Sequence, residues 1–102
     1  MSIKKQYLKK DGVCKITFSL IEDINSIENV RILGDFNNWD INCKPMKKLK
    51  TGDFSQTINL EPGKAYQFKY LINETVWVND QEADQLVPNG YGPDDFNSLI
   101  IL

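Results

Sequence analysis

YQFKYLI, residues 66–72, alternates large apolar side chains with polar ones and decides the fold class of this 102-residue chain. Every second residue is aromatic or aliphatic and would face a core, whereas Gln67 and Lys69 would point to the opposite face. The same period of two recurs in VCKITFSL, residues 13–20, and in FSQTINL, residues 54–60. A period of two along the chain is typical of half-buried β-strands.

Turn-forming residues separate these segments from further strand candidates. Residues 30–33, 76–78 and 96–102 are rich in β-branched and aromatic residues and are predicted to be strands. Glu-Pro-Gly-Lys at 61–64 predicts a type II turn, and Asn-Glu at 73–74 predicts a hairpin tip. Several short strands with turns between them indicate an all-β sandwich or barrel.

Length and composition favour one domain over residues 1–102, because 41% hydrophobic content in 102 residues supports a single core. The formal net charge is -2, which argues against a general nucleic-acid partner. No apolar run reaches the length of a membrane span, and MSIKKQYLKK at the N-terminus lacks the apolar part of a signal peptide. We therefore expect a cytoplasmic protein with no membrane partner. Residues 19–29 could hold one helical turn.

The two cysteines and the lysines suggest no special chemistry. Cys14 alternates with apolar residues and is predicted to be buried, whereas Cys43 is predicted to lie in a loop. A disulfide between them remains possible, but two cysteines do not suggest a disulfide-rich secreted protein. Lysines cluster at 4–10 and 44–50; the first interpretation is a solvated surface, and a docking patch at 44–50 stays open.

The residues needed for most catalytic or metal centres are missing from the sequence. There is no histidine, which removes His-based triads and His metal ligands, and two distant cysteines cannot form a Cys-rich zinc site. Paired carboxylates could still hydrolyse a glycoside. A small sandwich has little depth in which to raise the pKa of a general acid, so we predict no enzyme activity, no cofactor and no metal.

GDFNNWD, residues 34–40, follows a predicted strand and places Trp39 just beyond a polar turn, while Trp77 follows the predicted hairpin tip. Each tryptophan could belong to the core, because this residue is mostly buried. The alternative is a stacking platform for sugar rings, whose apolar C–H faces pack against indoles. Lys69 and Asn97 could then bond hydroxyl groups, although they could also be an ordinary exposed lysine and a strand-end cap.

The chain from VRILGDFNNWD onward resembles the family 48 carbohydrate-binding module. This is the glycogen-binding domain of the AMP-activated kinase β subunit, also joined to glycogen branching and debranching enzymes. The family pattern is G-x-F-N-x-W, a Pro-Gly turn, a Y/F-K-F/Y strand, a tryptophan after a hairpin tip, and an asparagine opening the last strand. The matching residues are Gly34, Phe36, Asn37, Trp39, Pro62, Gly63, Phe68, Lys69, Tyr70, Trp77 and Asn97.

The resemblance covers residues 30–102 and implies an immunoglobulin-like, early-set antiparallel β-sandwich of about seven or eight strands, with residues 1–29 as N-terminal strands. It implies that Trp39 and Trp77 stack on glucose rings while Lys69 and Asn97 bond hydroxyls. Tyr91, between two glycines, is the candidate for the apolar loop residue that glucan-binding members insert into a cyclic or helical glucan. Phe36 is expected to point inward and anchor the turn.

The leading function is therefore non-catalytic binding of α-1,4-glucans such as glycogen, starch and maltooligosaccharides by a monomer. A glucan-metabolising enzyme or another protein is a possible partner. One alternative is a protein-interaction module of the same fold without sugar binding. Another is an accessory module associated with a glycoside hydrolase, since the family is often joined to such enzymes.

Overall fold

The computed structural model describes residues 2–8, 12–20, 27–92 and 95–102. Residues 21–26, which carry most of the predicted helical turn, lie outside this description. The described part of the chain consists of nine strands and a short 3₁₀ turn at Asp35–Asn37, without an α-helix. It therefore contains no helix that is long and apolar enough to cross a membrane. The all-β prediction is confirmed.

All strand pairs are antiparallel and form two sheets. One sheet has the order β1-β2-β5-β4, and the other has the order β3-β6-β9-β8, with β7 also pairing with β6. The strands are β1 (Ser2–Leu8), β2 (Val13–Leu20), β3 (Val30–Gly34), β4 (Lys47–Lys48), β5 (Phe54–Leu60), β6 (Ala65–Ile72), β7 (Val76–Val78), β8 (Gln85–Pro88) and β9 (Phe96–Ile101).

The structure adds three strands to those that the sequence pattern predicted. They are β1, which lies in the segment that the resemblance assigned to N-terminal strands, and the short strands β4 and β8. The predicted strands at β2, β5 and β7 have the observed bounds, and the others differ by one residue at an end. Lys47–Lys48 and Gln85–Pro88 form short outer strands, both within stretches where no strand was predicted. Both carry mostly exposed side chains, so no alternating apolar pattern marks them in the sequence.

The core lies between the two sheets and is built from the apolar faces that the period of two predicted. Phe18, Phe68 and Tyr70 are fully buried, and the Phe18 and Phe68 ring centroids lie 5.1 Å apart. Phe36 packs against this core, with its ring centroid 6.1 Å from that of Phe18. The prediction that Phe36 anchors the polar turn from inside is thus confirmed. Cys14 is buried and Cys43 partly buried; both are free thiols, so the possible disulfide is absent.

A buried hydrogen-bonded group attaches the segment after β7 to the core. The hydroxyl of Tyr70 donates to Oδ2 of Asp80 over 2.6 Å, and both residues are fully buried. The amide of Asp80 donates to Oγ of Ser98 on β9 over 2.9 Å. Burial, and then the hydrogen bond to Asp80, raise the pKa of Tyr70, so its hydroxyl stays protonated and remains a donor. These bonds hold the chain leaving β7 against β9.

The predicted turns have the backbone that their residues suggested. Gly63 has a φ of +80°, the value that a type II turn needs at its third residue. Asn73 and Glu74 have φ values of +50° and +64°, and the amide of Thr75 donates to the carbonyl of Ile72 over 3.1 Å. Two consecutive positive φ values are typical of a hairpin turn, which directs β7 back along β6.

Candidate functional site

The outer face of the five-stranded sheet carries a groove of about 640 Å³. The groove lies on the side of β6 that the sequence predicted to face away from the core. All five residues predicted to form a site line this groove together. The lining residues are Trp39, Ile41, Lys69, Trp77, Asn89, Tyr91, Asp95 and Asn97.

Strand register explains why three of these side chains meet. Trp77 on β7 is opposite Leu71 on β6, and Leu71 lies two residues after Lys69. Paired residues, and residues two apart on one strand, point to the same side of a sheet, so Trp77, Leu71 and Lys69 share the outer face. Ser98 on β9 is opposite the core residue Phe68, and Asn97 precedes it. Side chains alternate along a strand, so Asn97 points outward beside Lys69.

Trp39 reaches the groove from a tight turn after β3. Its amide donates to the carbonyl of Gly34 over 3.0 Å, while Asn38 and Trp39 itself have φ values of +57° and +56°. The left-handed region is unfavourable for a bulky residue, so the surrounding contacts must stabilise it. The side chain of Asn37 supplies two of them, accepting from the Gly34 amide over 3.0 Å and donating to the Ile32 carbonyl over 2.9 Å. The polar residues of GDFNNWD thus hold the tryptophan at the groove.

Neither tryptophan belongs to the buried core. Trp77 leaves 46% of its surface exposed, and Trp39 is partly buried. The indole Nε1 of Trp39 donates to Oδ1 of Asp35 over 3.0 Å. Tyr91 is 87% exposed at the groove rim, and its amide donates to Oδ1 of Asn89 over 3.0 Å. The groove is therefore flanked by three aromatic side chains that keep accessible ring surface.

A connected set of hydrogen bonds forms the floor of the groove. Nζ of Lys69 lies 3.1 Å from Oδ1 of Asp95, and Nδ2 of Asn89 donates to the same oxygen over 2.8 Å. Nδ2 of Asn89 also donates to Oδ1 of Asn97 over 3.1 Å, and Nδ2 of Asn97 donates to Oε1 of Gln67 over 3.0 Å. The Lys69 side chain is only 13% exposed, which is incompatible with an ordinary solvated lysine.

The hydrogen bonds of the groove stabilise the charged form of Asp95. Hydrogen bonds from Asn89 and then Lys69 lower the pKa of Asp95 below its usual value. A general acid at neutral pH needs a raised pKa, so Asp95 is unsuited to that role. Among the described residues, no group of three or more His, Cys, Asp or Glu side chains could hold a metal ion.

Comparisons with known proteins identify the family of this chain. A family model described as the glycogen recognition site of AMP-activated protein kinase matches residues 19–92. The chain belongs to this family. It is also similar to Protein PTST homolog 2, chloroplastic, of Arabidopsis thaliana, with 33% identity over 78 residues, which is 76% of this chain. The chain spans 13% of the length of that relative.

The match to the glycogen-recognition family includes most of the groove. Trp39, Lys69, Trp77 and Tyr91 lie within residues 19–92, whereas Asn97 lies beyond the end of the match. The match also begins within β2, earlier than the start at residue 30 that the sequence resemblance indicated.

The sequence alone did not indicate four residues that line or support this groove. Ile41, Asn89 and Asp95 line it, and Asp35 bonds the indole of Trp39. Their position in the sequence was the one indication of a role. Asp35 lies within GDFNNWD, and Asn89 and Asp95 lie on either side of Tyr91 in sequence. Asparagine and aspartate in loops are usually turn residues, so composition alone did not distinguish a site there.

Proposed function

We propose that the groove binds α-1,4-glucans, such as glycogen, starch or maltooligosaccharides, without chemical conversion. The observation that carries the proposal is the meeting of Trp39 and Trp77 with Lys69 and Asn97 in one groove. Each indole offers an apolar, electron-rich face on which the C–H face of a glucose ring packs. Membership of the glycogen-recognition family supports the same ligand class.

The polar groups between the tryptophans would orient the sugar. The ammonium group of Lys69 has three donors, and the bond to Asp95 uses one of them. Asn97 and Asn89 carry amide groups that both donate and accept, as sugar hydroxyls do. A few placed polar groups in an apolar groove give orientation, while burial of the ring faces supplies most of the affinity.

Affinity for one short chain should be modest. Stacking contributes on the order of 1 kcal/mol per ring pair beyond area burial, and association itself has a large entropic cost. We expect micromolar or weaker dissociation constants, corresponding to roughly -8 kcal/mol or less in magnitude.

The proposal is tested by titrating β-cyclodextrin and maltoheptaose into ¹⁵N-labelled protein and recording amide and indole N–H shifts. Saturable shifts are expected at both indole N–H groups and at the backbone of Lys69 and Asn97. Cellohexaose, a β-1,4-glucan of extended shape, is the matched control ligand and should give much weaker shifts. Absence of shifts at millimolar α-glucan, or equal shifts with cellohexaose, would contradict the proposal.

Glucan binding is expected to be flat between about pH 5 and 8. The chain has no histidine, and the hydrogen bonds from Asn89 and Lys69 hold the pKa of Asp95 below its usual value of 3.8. Because the folded-state pKa of Asp95 is lowered, the stabilisation that its charged form gives to the groove is fully present above pH 3.8. It is lost only as the pH falls through the lowered pKa of the folded state. Isothermal titration calorimetry with maltoheptaose across this range would measure it. A binding midpoint near neutral pH would be inconsistent with this site.

A second candidate is the protein-interaction module considered from the sequence. Tyr7 on β1 and Leu86 on β8 are 55% and 54% exposed, and each lies on an outer strand of its sheet. Outer strands with exposed apolar residues can associate with a partner chain. Oligomers in sedimentation velocity together with no sugar-induced shifts would favour this function over glucan binding.

A further inference from the structure

We propose that Asp35 is a positioning residue that sets the plane of the Trp39 indole and, through Gln67, connects it to Asn97. The inference rests on the proposed function, since it describes how two groups of the same groove are held. Asp35 does not line the groove itself, so it would act on a bound sugar only through Trp39.

The geometry of Asp35 uses both oxygens of its carboxylate. Oδ1 accepts from Nε1 of Trp39 over 3.0 Å, and Oδ2 accepts from the backbone amide of Gln67 over 2.8 Å. Both partners are obligate donors, so the side chain between them must offer two acceptors. A carboxylate does so, whereas an asparagine side chain of the same shape offers one acceptor and one donor group. The chemistry of the contact therefore specifies aspartate.

The bond to Gln67 relates the tryptophan to the sheet. Gln67 lies in β6 and its backbone amide is fixed by the strand, so its bond to Asp35 holds the carboxylate against a rigid element. The side-chain Oε1 of the same residue accepts from Nδ2 of Asn97 over 3.0 Å. A continuous series of contacts thus runs from the Trp39 ring to Asn97 across β6.

This arrangement matters because a tryptophan on a turn has two rotatable side-chain bonds. A ring that samples several orientations must be ordered when a sugar stacks on it, and that ordering weakens binding. The bond from Nε1 to Asp35 holds the ring in one orientation before the sugar arrives. Loss of Asp35 should therefore weaken glucan binding about three- to tenfold, the effect expected for ordering one side chain.

The competing explanation is that Asp35 only forms the turn, as acidic residues often do at the start of a helical turn. A turn-forming role would act on the backbone and would not depend on the indole nitrogen. The two roles are separated by measurements on the indole N–H itself.

The first measurement needs no sugar. In the unaltered protein, the Trp39 indole N–H should exchange with water more slowly than that of Trp77. In Asp35→Ala, which removes both acceptors, the Trp39 indole signal should shift and its exchange should accelerate, while the Trp77 signal stays in place. Asp40→Asn is the matched control, because it removes the same charge one residue from Trp39 and should leave the indole signal unchanged. Equal exchange at both indoles in the unaltered protein would overturn the proposal even if the variant fails to fold.

The second measurement is a double-mutant cycle with maltoheptaose. Trp39→Phe keeps an aromatic ring and removes the Nε1 donor, so Asp35→Ala should weaken binding about three- to tenfold in the original background and have little effect in Trp39→Phe. An equal loss of maltoheptaose affinity in both backgrounds would show that Asp35 does not act through the indole and would overturn the proposal. If the unaltered protein binds no glucan, the proposed function fails, and the sugar-free indole measurement still decides whether Asp35 positions Trp39.

Discussion

Trp77→Ala is expected to weaken maltoheptaose binding by about thirtyfold, equivalent to ~2 kcal/mol, while the protein remains folded. Trp77 lies on β7 at the groove with 46% of its surface exposed and is not part of the core. Its removal deletes one of the two indole surfaces proposed to stack on sugar, and stacked aromatic residues dominate such sites. Isothermal titration calorimetry or the NMR titration would measure the change.

Tyr7→Ala is the matched control for this prediction. Tyr7 is an aromatic residue of similar exposure, at 55%, but it lies on β1 in the opposite sheet. Its loss should leave the affinity unchanged. Equal weakening in both variants would point to a general effect of lost aromatic surface, and unchanged affinity in Trp77→Ala would remove this residue from the proposed site.

Gly34→Ala is expected to destabilise the fold by about 3 kcal/mol, at the upper end of what inserting one methyl group into a packed site costs. A Cβ at this position would lie 2.5 Å from the carbonyl oxygen of Gln67, 2.8 Å from Cε2 of Phe36 and 2.9 Å from Cβ of Phe68. The first contact involves backbone of β6, which pairs with β3 here and cannot shift without disturbing that pairing. Urea unfolding would measure the loss as a lower transition midpoint.

Gly92→Ala provides the comparison. Nothing lies within 4 Å of a Cβ added at Gly92, so its unfolding midpoint should stay close to that of the unaltered protein. A small effect of Gly34→Ala, similar to that of Gly92→Ala, would mean that β3 and β6 can separate locally. It would argue that the turn carrying Asp35 and Trp39 is less tightly held than the structure indicates.

Strands with two different faces could be predicted from the sequence, and strands without a buried face could not. In β2 and β6 the alternation of apolar and polar residues reports directly which side faces the core. Lys47–Lys48 and Gln85–Pro88 lack this alternation because they lie at the outer edges of the sheets. They are strands because β5 and β9 offer them backbone partners. That reason lies in the neighbouring strand rather than in their own residues.

The sequence by itself determined the all-β class and the turns, because periodicity and turn chemistry are properties of a few consecutive residues. It also singled out Trp39, Lys69, Trp77 and Asn97 as candidate site residues, while Tyr91 followed only from the family resemblance. Only the tertiary structure decided that these residues meet, and that Asp35 and Asp95 support them. Asp95 bonds Lys69 across 26 positions of sequence, and Asp35 bonds Gln67 across 32. Such contacts exist because β6 lies between β3 and β9, and this pairing depends on the register of the whole sheet.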